Sequence, residues 1–260
     1  GLRHNEKVSN FTVAKTVCAM LVRSKAVVLR TVKYNDASVV VETYTEAEGR
    51  VAFLVRVPKT RRAAVKSVLF SPLALLELEW NARPAAGLQH VRNAKPYVVF
   101  ASIPYDPPKT CIALFIAEFL CAALKAPQPD EGVFGFVETS VRWLDAVGDG
   151  CANFHLVFLL HLSHYLGVRP NFEGYAEGCY FDLQSGRYCT LHPQHSHVLE
   201  PAEAALLPKL MRMKYATASR FAFTRGQRRR LLDAINEYYS LHLPSFPGLK
   251  SLDVLHEVFG

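Results

Sequence analysis

The chain has 260 residues, half of them hydrophobic, and a formal net charge of +7. This length and composition fit one large or two modest folded domains and exclude a disordered or low-complexity protein. The longest apolar run, 154–166, contains three histidines and a serine. It is too short and too polar to span a bilayer, so we expect no membrane anchor. The six cysteines are scattered, which argues against a disulfide framework and for a reducing, cytoplasmic setting.

The positive charge is concentrated in one segment. Residues 23–66 hold ten lysines and arginines against four acids, whereas residues 67–260 hold 17 basic and 18 acidic residues. A concentrated basic field attracts phosphate backbones more strongly than the same charge spread evenly. The segment therefore indicates a polyanion as partner. The alternative is a soluble domain that simply exposes its lysines and arginines.

Three consecutive strands are predicted in this basic segment, at 25–34, 39–45 and 50–57. Valine, leucine and threonine dominate the first two, and the residues from Asn35 to Ser38 have the composition of a turn. A glycine at position 49 suits a tight hairpin before the third strand. The third strand alternates with a period of two, which is typical of a strand with one buried face.

Two further extended runs, at 73–80 and 88–99, bring the number of predicted strands to five. The intervening residues 63–69 are predicted as a loop or a short helix. Five strands in this order fit an oligonucleotide-binding (OB) barrel, a five-stranded Greek-key fold. We place this OB-fold domain at 22–103. Residues 1–21 show no cap or periodicity, and we expect them to form a loosely attached peripheral extension.

The pattern becomes helical after three prolines between residues 104 and 108, which mark a domain boundary. Thr110 is expected to cap the first helix, in which apolar residues recur at spacings of three and four. Further helices are predicted at 133–147 and 151–166. The chain is thus predicted as an α+β protein, in which the barrel is followed by an α-helical domain at 104–260.

A non-helical insertion at 171–198 interrupts the helical domain. The stretch from Tyr180 to Tyr188, with Gln-Ser-Gly at its centre, predicts a β-hairpin. Two CxxC knuckles around the hairpin would indicate zinc strongly, and neither is present. We therefore interpret the insertion as a zinc-finger-like hairpin with incidental histidines and predict no cofactor. The alternative is zinc held by residue types that this metal accepts, namely Cys179, Cys189, His192 and His195.

Basic side chains on the predicted strands and directly after them are the candidate phosphate ligands. Contacts to phosphates rather than to base edges predict little sequence preference and steep salt dependence. Tyr34, Tyr44 and Phe53 are candidate stacking partners for bases, with barrel core as the alternative for each. The basic candidates are Arg30, Lys33, Arg50, Arg56, Lys59, Arg61, Arg62 and Lys66.

A second basic stretch lies in the helical domain and contains no acid. It is interpreted either as an extension of the nucleic-acid path or as a site for an acidic protein tail. Its residues are Lys209, Arg212, Lys214, Arg220, Arg225, Arg228, Arg229 and Arg230.

The sequence contains none of the common catalytic motifs. Glycine-rich nucleotide loops, a nucleophile elbow and a zinc-protease motif are all missing. Cys111, Cys121 and Cys151 lie in apolar helical stretches, which is typical of inert core thiols. We therefore predict a binding protein and no enzyme. One alternative is an OB-fold protein-interaction module that binds acidic partner surfaces without DNA. The other is a nuclease, which would need clustered carboxylates for Mg²⁺ that the basic barrel does not supply.

Several stretches resemble the RecO family of bacterial recombination mediators and DNA repair proteins. The resemblance covers residues 20–260 and rests on the order and spacing of these stretches. They are Met20 to Val22 with Lys25 to Tyr34, the segment 36–50, Ala117 to Leu120, the hairpin start at 180–183, and the closing 249–255.

This resemblance implies an OB domain, a helical domain and a zinc-binding or zinc-finger-like insertion. It implies binding of single- and double-stranded DNA and annealing of complementary strands. It also implies partnership with RecR and with the C-terminal tail of SSB, to help load RecA on SSB-coated DNA at the nucleoid of a bacterial cytoplasm. Zinc-bearing members have four cysteines in two knuckles, and only Cys179 and Cys189 stand there in this chain. The family implies no catalytic residues.

Overall fold

Five strands close a barrel in the computed structural model, which describes residues 20–57, 68–83, 87–126 and 128–259. The order around the barrel is β1-β2-β3-β5-β4, with β3 and β5 parallel and the other neighbours antiparallel. This arrangement confirms the predicted OB-like barrel. The strands are β1 (Met20–Asn35), β2 (Ser38–Thr45), β3 (Gly49–Arg56), β4 (Leu75–Ala82) and β5 (Gln89–Pro96).

The 16-residue strand β1 contributes to two hydrophobic cores. Its first half pairs with β4 and its second half with β2. Ala26 and Val28 belong to the barrel core, together with Trp80, whereas Val27 and Leu29 belong to the core of the helical domain. Because successive strand residues face opposite sides, one face of β1 packs into the barrel core and the other face packs against the helices.

The helical domain follows the barrel, and one apolar cluster joins its helices. None of the helices that the structure describes is long and apolar enough to cross a membrane. The helices of the described chain are α1 (Pro107–Ala123), α2 (Glu131–Ala146), α3 (Phe154–Tyr165), α4 (Pro201–Ala204), α5 (Leu207–Met211), α6 (Arg225–His242) and α7 (Ser251–Phe259), with 3₁₀ turns at Cys151–Asn153 and Tyr215–Arg220.

The first helix begins earlier than the sequence indicates. Asp106, and not Thr110, is its N-cap, because the Asp106 carboxylate accepts the backbone N–H of Lys109. Pro107 and Pro108 occupy the first two helical positions, where the missing N–H of proline costs no hydrogen bond. The three prolines therefore mark the start of the helix as well as the end of the barrel.

The predicted hairpin is confirmed and gains a third strand. β6 (Tyr180–Asp182) pairs with β7 (Arg187–Cys189), and β8 (Val198–Leu199) pairs with the other edge of β6. Gly186 has a φ of +65°, and a Cβ there would come within 2.9 Å of the Tyr238 hydroxyl on α6. The turn therefore needs glycine both for its backbone conformation and for its close approach to the helix.

The start of the barrel corrects one expected boundary. β1 begins at Met20, inside the stretch 1–21 that is expected to be peripheral, because Met20 and Leu21 pair with Ala82 and Asn81 of β4. The expectation is therefore wrong for these two residues, and 1–19 lie outside the described residues. We still propose a domain division at 103 and 104, a point between the end of β5 and the start of α1.

The linker between the barrel and α1 is fastened to the end of α2. The Asp145 carboxylate accepts three successive backbone N–H groups of residues 101–103, at 2.8 to 2.9 Å. The buried amine of Lys109 donates to the Ser102 hydroxyl at 2.7 Å and to the carbonyl oxygens of Asp145 and Val147. These three acceptors compensate for the removal of the ammonium from water.

We expect Asp145→Ala to lower the free energy of unfolding by about 2–3 kcal/mol, because it removes charge-assisted hydrogen bonds from three backbone donors. Urea denaturation measures the change. Asp149→Ala is the matched control, since Asp149 is exposed and accepts no hydrogen bond from the described residues. Equal losses in the two variants would contradict the assigned role of Asp145.

The same contact should depend on pH. Burial alone would raise the pKa of Asp145, but the N–H donors of residues 101–103 outweigh it and lower the pKa. A carboxylate with a lowered pKa stabilises the fold fully above its ordinary pKa of about 3.9, and this contribution is lost as the pH falls through the folded-state value. The stability gap between the wild type and Asp145→Ala should therefore stay constant from about pH 7 to about pH 5 and narrow below that.

Candidate nucleic-acid interface

The outer face of β1, β2 and β3 has a covered half and an open half. Opposite residues in an antiparallel pair share a face, and the register aligns Val32, Val40 and Leu54 across the three strands on the side away from the barrel core. Val32 is exposed. In the covered half, Tyr44 is buried, and its hydroxyl accepts the backbone N–H of Asp130 in the helical domain. Among the described residues of this face, only the half near the β1–β2 turn is open to a ligand.

An aromatic ring and two basic side chains are exposed at the end of the barrel near the β1–β2 turn. Tyr34 is 61% exposed. Lys33 and Arg56 are exposed as well, and the Lys33 amine lies 3.2 Å from the carboxylate of Asp36 in the turn. Arg56 makes no side-chain hydrogen bond or ion pair with the described part of the chain. By the register, Arg56 lies on the outer face and Lys33 on the other face of β1. An exposed ring and exposed cations at one end of a barrel are the groups with which proteins stack bases and neutralise phosphates.

The chain leaves β3 at this same end of the barrel. The backbone N–H of Val57 donates to the carbonyl oxygen of Ala37 in the β1–β2 turn, at 2.8 Å. The segment 58–67 starts from this point. Four predicted phosphate ligands fall in that segment and lie outside the described residues: Lys59, Arg61, Arg62 and Lys66.

At the border between the two halves, Arg30 and Arg50 converge on the carboxylate of Glu42. Nε and Nη2 of Arg30 donate to Oε1, the former at 3.1 Å, and Nη2 of Arg50 donates to Oε2. Nη1 of Arg50 also donates to the carbonyl oxygens of Cys121 and Leu124, at 2.7 and 3.2 Å. Because the last carbonyls of a helix have no partner within it, Arg50 caps α1 from the barrel.

The three charged side chains differ in exposure. The side chain of Arg30 is 59% exposed, that of Arg50 24% and that of Glu42 13%. Burial alone would raise the pKa of Glu42, but the hydrogen bonds from the two arginines outweigh it and lower the pKa. Glu42 is therefore held as a carboxylate. Arg30 has an exposed guanidinium with one edge occupied, whereas Arg50 is a structural residue of the domain junction.

Only one of the three candidate stacking residues can meet a base. Phe53 lies in the barrel core, where its ring packs edge-on against Trp80 with centroids 5.2 Å apart. Tyr44 is buried under the helical domain. Tyr34 alone is exposed. The alternation of the strands could not separate the outer face into its two halves, since that division depends on helices from a distant part of the sequence.

Glu42 is a residue of the candidate site that the sequence analysis does not predict. It is the one acid within a run of valines and threonines on β2. An ionised side chain in the middle of an otherwise apolar strand calls for a partner, and this signal was present. What the sequence does not contain is the pairing, because Arg30 and Arg50 are on other strands and meet Glu42 only through the register.

The second basic stretch does not form one free surface. Four of its cations donate to the protein: Lys209 to the carbonyl of Ala222, Arg212 to that of Pro208, Arg228 to those of Phe223 and Phe259, and Arg230 to the carboxylate of Glu203. The other four are exposed, and their side chains make no hydrogen bond or ion pair within the described residues. They are Lys214, Arg220, Arg225 and Arg229.

The two histidine metal candidates face separate carboxylates. Nε2 of His192 lies 3.5 Å from the Glu200 carboxylate, and Nε2 of His195 lies 3.4 Å from that of Asp182. Each imidazole therefore has its own acidic partner and does not turn toward the other.

The two cysteine candidates do not complete a metal site. Cys179 is buried, and Sγ of Cys189 lies 4.0 Å from the carbonyl oxygen of Tyr180. Desolvation raises the pKa of the Cys189 thiol, which disfavours the thiolate that zinc requires. Across the described ranges, no three His, Cys, Asp or Glu side chains are placed to hold a metal ion. These residues do not fit a zinc site.

Comparison with known proteins identifies the family. The family description "Recombination protein O N terminal" matches residues 20–100, and "Recombination protein O C terminal" matches residues 104–253. The chain belongs to the RecO family. Membership in the RecO family gives the chain a role in DNA repair and recombination, and it confirms the resemblance noted from the sequence.

Relatives named DNA repair protein RecO match along nearly the whole chain. The protein of Bacteroides fragilis is 49% identical over 241 residues, and that of Phocaeicola vulgatus is 46% identical over 240 residues. The protein of Porphyromonas gingivalis is 33% identical over 244 residues. In each case the match covers 92% of this chain and 100% of the relative.

Arg50 and Arg56 lie on the same face of β3 and should differ sharply in their contribution to stability. We expect Arg50→Ala to lower the free energy of unfolding by about 2–3 kcal/mol, because it removes the arginine donor from Oε2 of the largely buried Glu42 carboxylate and from two helix-end carbonyls. Arg56→Ala should change it by less than about 0.5 kcal/mol, as exposed substitutions usually do. Chemical denaturation of the two variants measures both changes. A large loss for Arg56→Ala would place Arg56 in the junction instead.

The hairpin should keep its stability without metal. Because the four candidate ligands do not converge, we expect dialysis against EDTA to leave the melting temperature unchanged and added Zn²⁺ to have no effect on it. Elemental analysis of the purified protein should find no stoichiometric zinc. A stoichiometric content, or a melting temperature that falls with EDTA, would show that the ligands rearrange around a metal.

Proposed function

We propose that this chain is a DNA-binding recombination mediator and that DNA lies on the open half of the barrel's outer face. The observation that carries the proposal is the exposed ring of Tyr34 beside the β1–β2 turn, with the exposed cation Arg56 at the same end of the barrel and the exposed Lys33 on the other face of β1. OB folds bind oligonucleotides with strands 2 and 3 and with the loop between strands 1 and 2. The next residues in the sequence, 58–67, include four lysines and arginines and lie outside the described residues.

The chemistry of this face determines which nucleic acids it accepts. Lysine and arginine bind phosphates, which every sequence and both single and double strands present. A tyrosine ring stacks on any base. We therefore propose binding of single- and double-stranded DNA with little sequence preference. Two complementary strands held on one basic surface repel each other less, and this screening would promote their annealing.

The family supports a set of partners. We propose that the chain acts with RecR, and through the C-terminal tail of SSB, to help load RecA on SSB-coated single strands at the bacterial nucleoid. The exposed cations Lys214, Arg220, Arg225 and Arg229 offer a second surface, either for the continuation of the DNA or for the acidic tail of SSB. Each of these roles needs binding and release, and none needs a catalytic group.

Fluorescence anisotropy with labelled single-stranded DNA, measured over a salt series, tests the proposed interface. The variant carries Lys33→Ala and Arg56→Ala. Each phosphate contact on a single strand contributes about 0.7 to the slope of log K against log salt. We therefore expect the double variant to bind more weakly and its slope to be shallower by about 1.4.

A control variant removes the same charge from another side of the barrel. Arg23 and Lys95 pair with Glu79 and Glu77, and the double substitution of Arg23 and Lys95 by Ala should leave the slope unchanged. An unchanged slope in the Lys33 and Arg56 variant would exclude this face and favour the second basic surface. Absence of wild-type binding at low salt would exclude the DNA role and favour a module that binds acidic protein surfaces.

A further inference from the structure

Arg30, a predicted phosphate ligand that is exposed at the border of the open half, is already bound to a carboxylate. Its Nε and Nη2 both donate to Oε1 of Glu42. This is the edge of the guanidinium that would also bind a phosphate in a two-point contact. The opposite edge, with Nη1, makes no hydrogen bond within the described residues. Arg30 is thus both exposed to solvent and partly neutralised.

We propose that Glu42 limits DNA binding on the barrel by competing with the phosphate backbone for Arg30. The inference rests on the proposed function, because it assumes that DNA reaches the open half beside Arg30. A strand that lies there must either use the free edge of Arg30 or displace Glu42 from the occupied edge. In both cases the carboxylate weakens the attraction between Arg30 and the phosphates.

The contacts of Glu42 explain why the carboxylate stays in place when Arg30 is drawn away. Its second oxygen accepts from Arg50, and the Sγ of Cys121 lies 3.4 Å from that oxygen. Arg50 in turn caps the carbonyl end of α1. When a phosphate takes Arg30, the charge of Glu42 is still compensated by Arg50. The exchange therefore leaves no unpaired charge at the junction, which would otherwise carry a large cost.

This arrangement couples the DNA face to the domain junction. Glu42 is shared between an exposed arginine and a half-buried one, so a ligand that weakens its bond to Arg30 leaves it free to bind Arg50 more strongly. The bond between Glu42 and Arg50 should therefore be firmer in the DNA complex than in the free protein, and by reciprocity a firmer bond between these two residues should favour DNA binding.

The test replaces the carboxylate by an amide and measures DNA binding. Glu42→Gln removes the competing charge, and we expect single-stranded DNA to bind about two- to fivefold more tightly, the range that a partly exposed ion pair allows. The salt slope should steepen by about 0.7, because one more cation is available to the phosphates. Fluorescence anisotropy over a salt series on the full chain gives both quantities.

Two further variants separate this effect from a general gain in positive charge. Glu77→Gln changes the net charge by the same amount, and Glu77 is paired with Lys95 on another part of the barrel. We expect it to leave the affinity and the slope almost unchanged. The second variant adds Arg30→Ala to Glu42→Gln. The gain from Glu42→Gln should disappear in this background, because the gain acts through Arg30.

The outcomes are distinct. Equal gains in Glu42→Gln and Glu77→Gln, or a gain that persists without Arg30, would overturn the inference while leaving the proposed function intact. No binding by the wild type would overturn the proposed function and the inference together. Circular dichroism of each variant establishes that the binding measured is that of the folded chain. If Glu42→Gln does not fold, Glu42→Asp replaces it, since this shorter side chain keeps the wild-type charge and any tighter binding then reports release of Arg30.

Discussion

The fold depends on the alternation of β1, whose successive side chains enter two different cores. Ala26 and Val28 fill the barrel, and Val27 and Leu29 fill the base of the helical domain. A strand that is buried on both faces cannot shift its register by one residue without exchanging the two sets. It therefore also fixes the position of the helices relative to the barrel. The barrel core and the core of the helical domain therefore lie on the two sides of this one strand.

The position of the helices on the barrel determines which part of the barrel's outer face can bind a ligand. The helical domain covers the end of that face near Tyr44, and Arg50 and Glu42 close the junction with charge-assisted hydrogen bonds. The face is left open only beside the β1–β2 turn. Removing the charged groups of this junction from water costs free energy. The hydrogen bonds offset this cost only because every charge in the junction has a partner. The same requirement places Glu42 within reach of Arg30 and so brings a structural contact to the edge of the proposed DNA surface.

Much of the fold could be predicted from the sequence because it is recorded in local patterns. The alternation of β1 to β5, the spacing of apolar residues in α1 to α3 and the turn residues of the hairpin each depend on neighbours in the chain. One error was local: Asp106 replaces Thr110 as the cap because the two prolines that follow Asp106 already belong to the helix. The other depends on distant residues: Met20 and Leu21 join the barrel because β4 supplies their partners.

The candidate site could be predicted less well than the fold, because a count of charged residues does not show which of them are already bound to other groups of the protein. Arg50 and Arg56 lie on one strand, on one face, and have the same chemistry, yet one is tied to a carboxylate and a helix end and the other meets solvent. In the second basic stretch, four of eight cations are likewise bound to the protein. A guanidinium donates to carbonyls and carboxylates with the same N–H groups that bind phosphate. The role of an arginine therefore depends on which acceptor its guanidinium contacts. Here the opposing groups are supplied by other strands and by helices more than 70 residues away along the sequence, and only the folded chain brings them into reach.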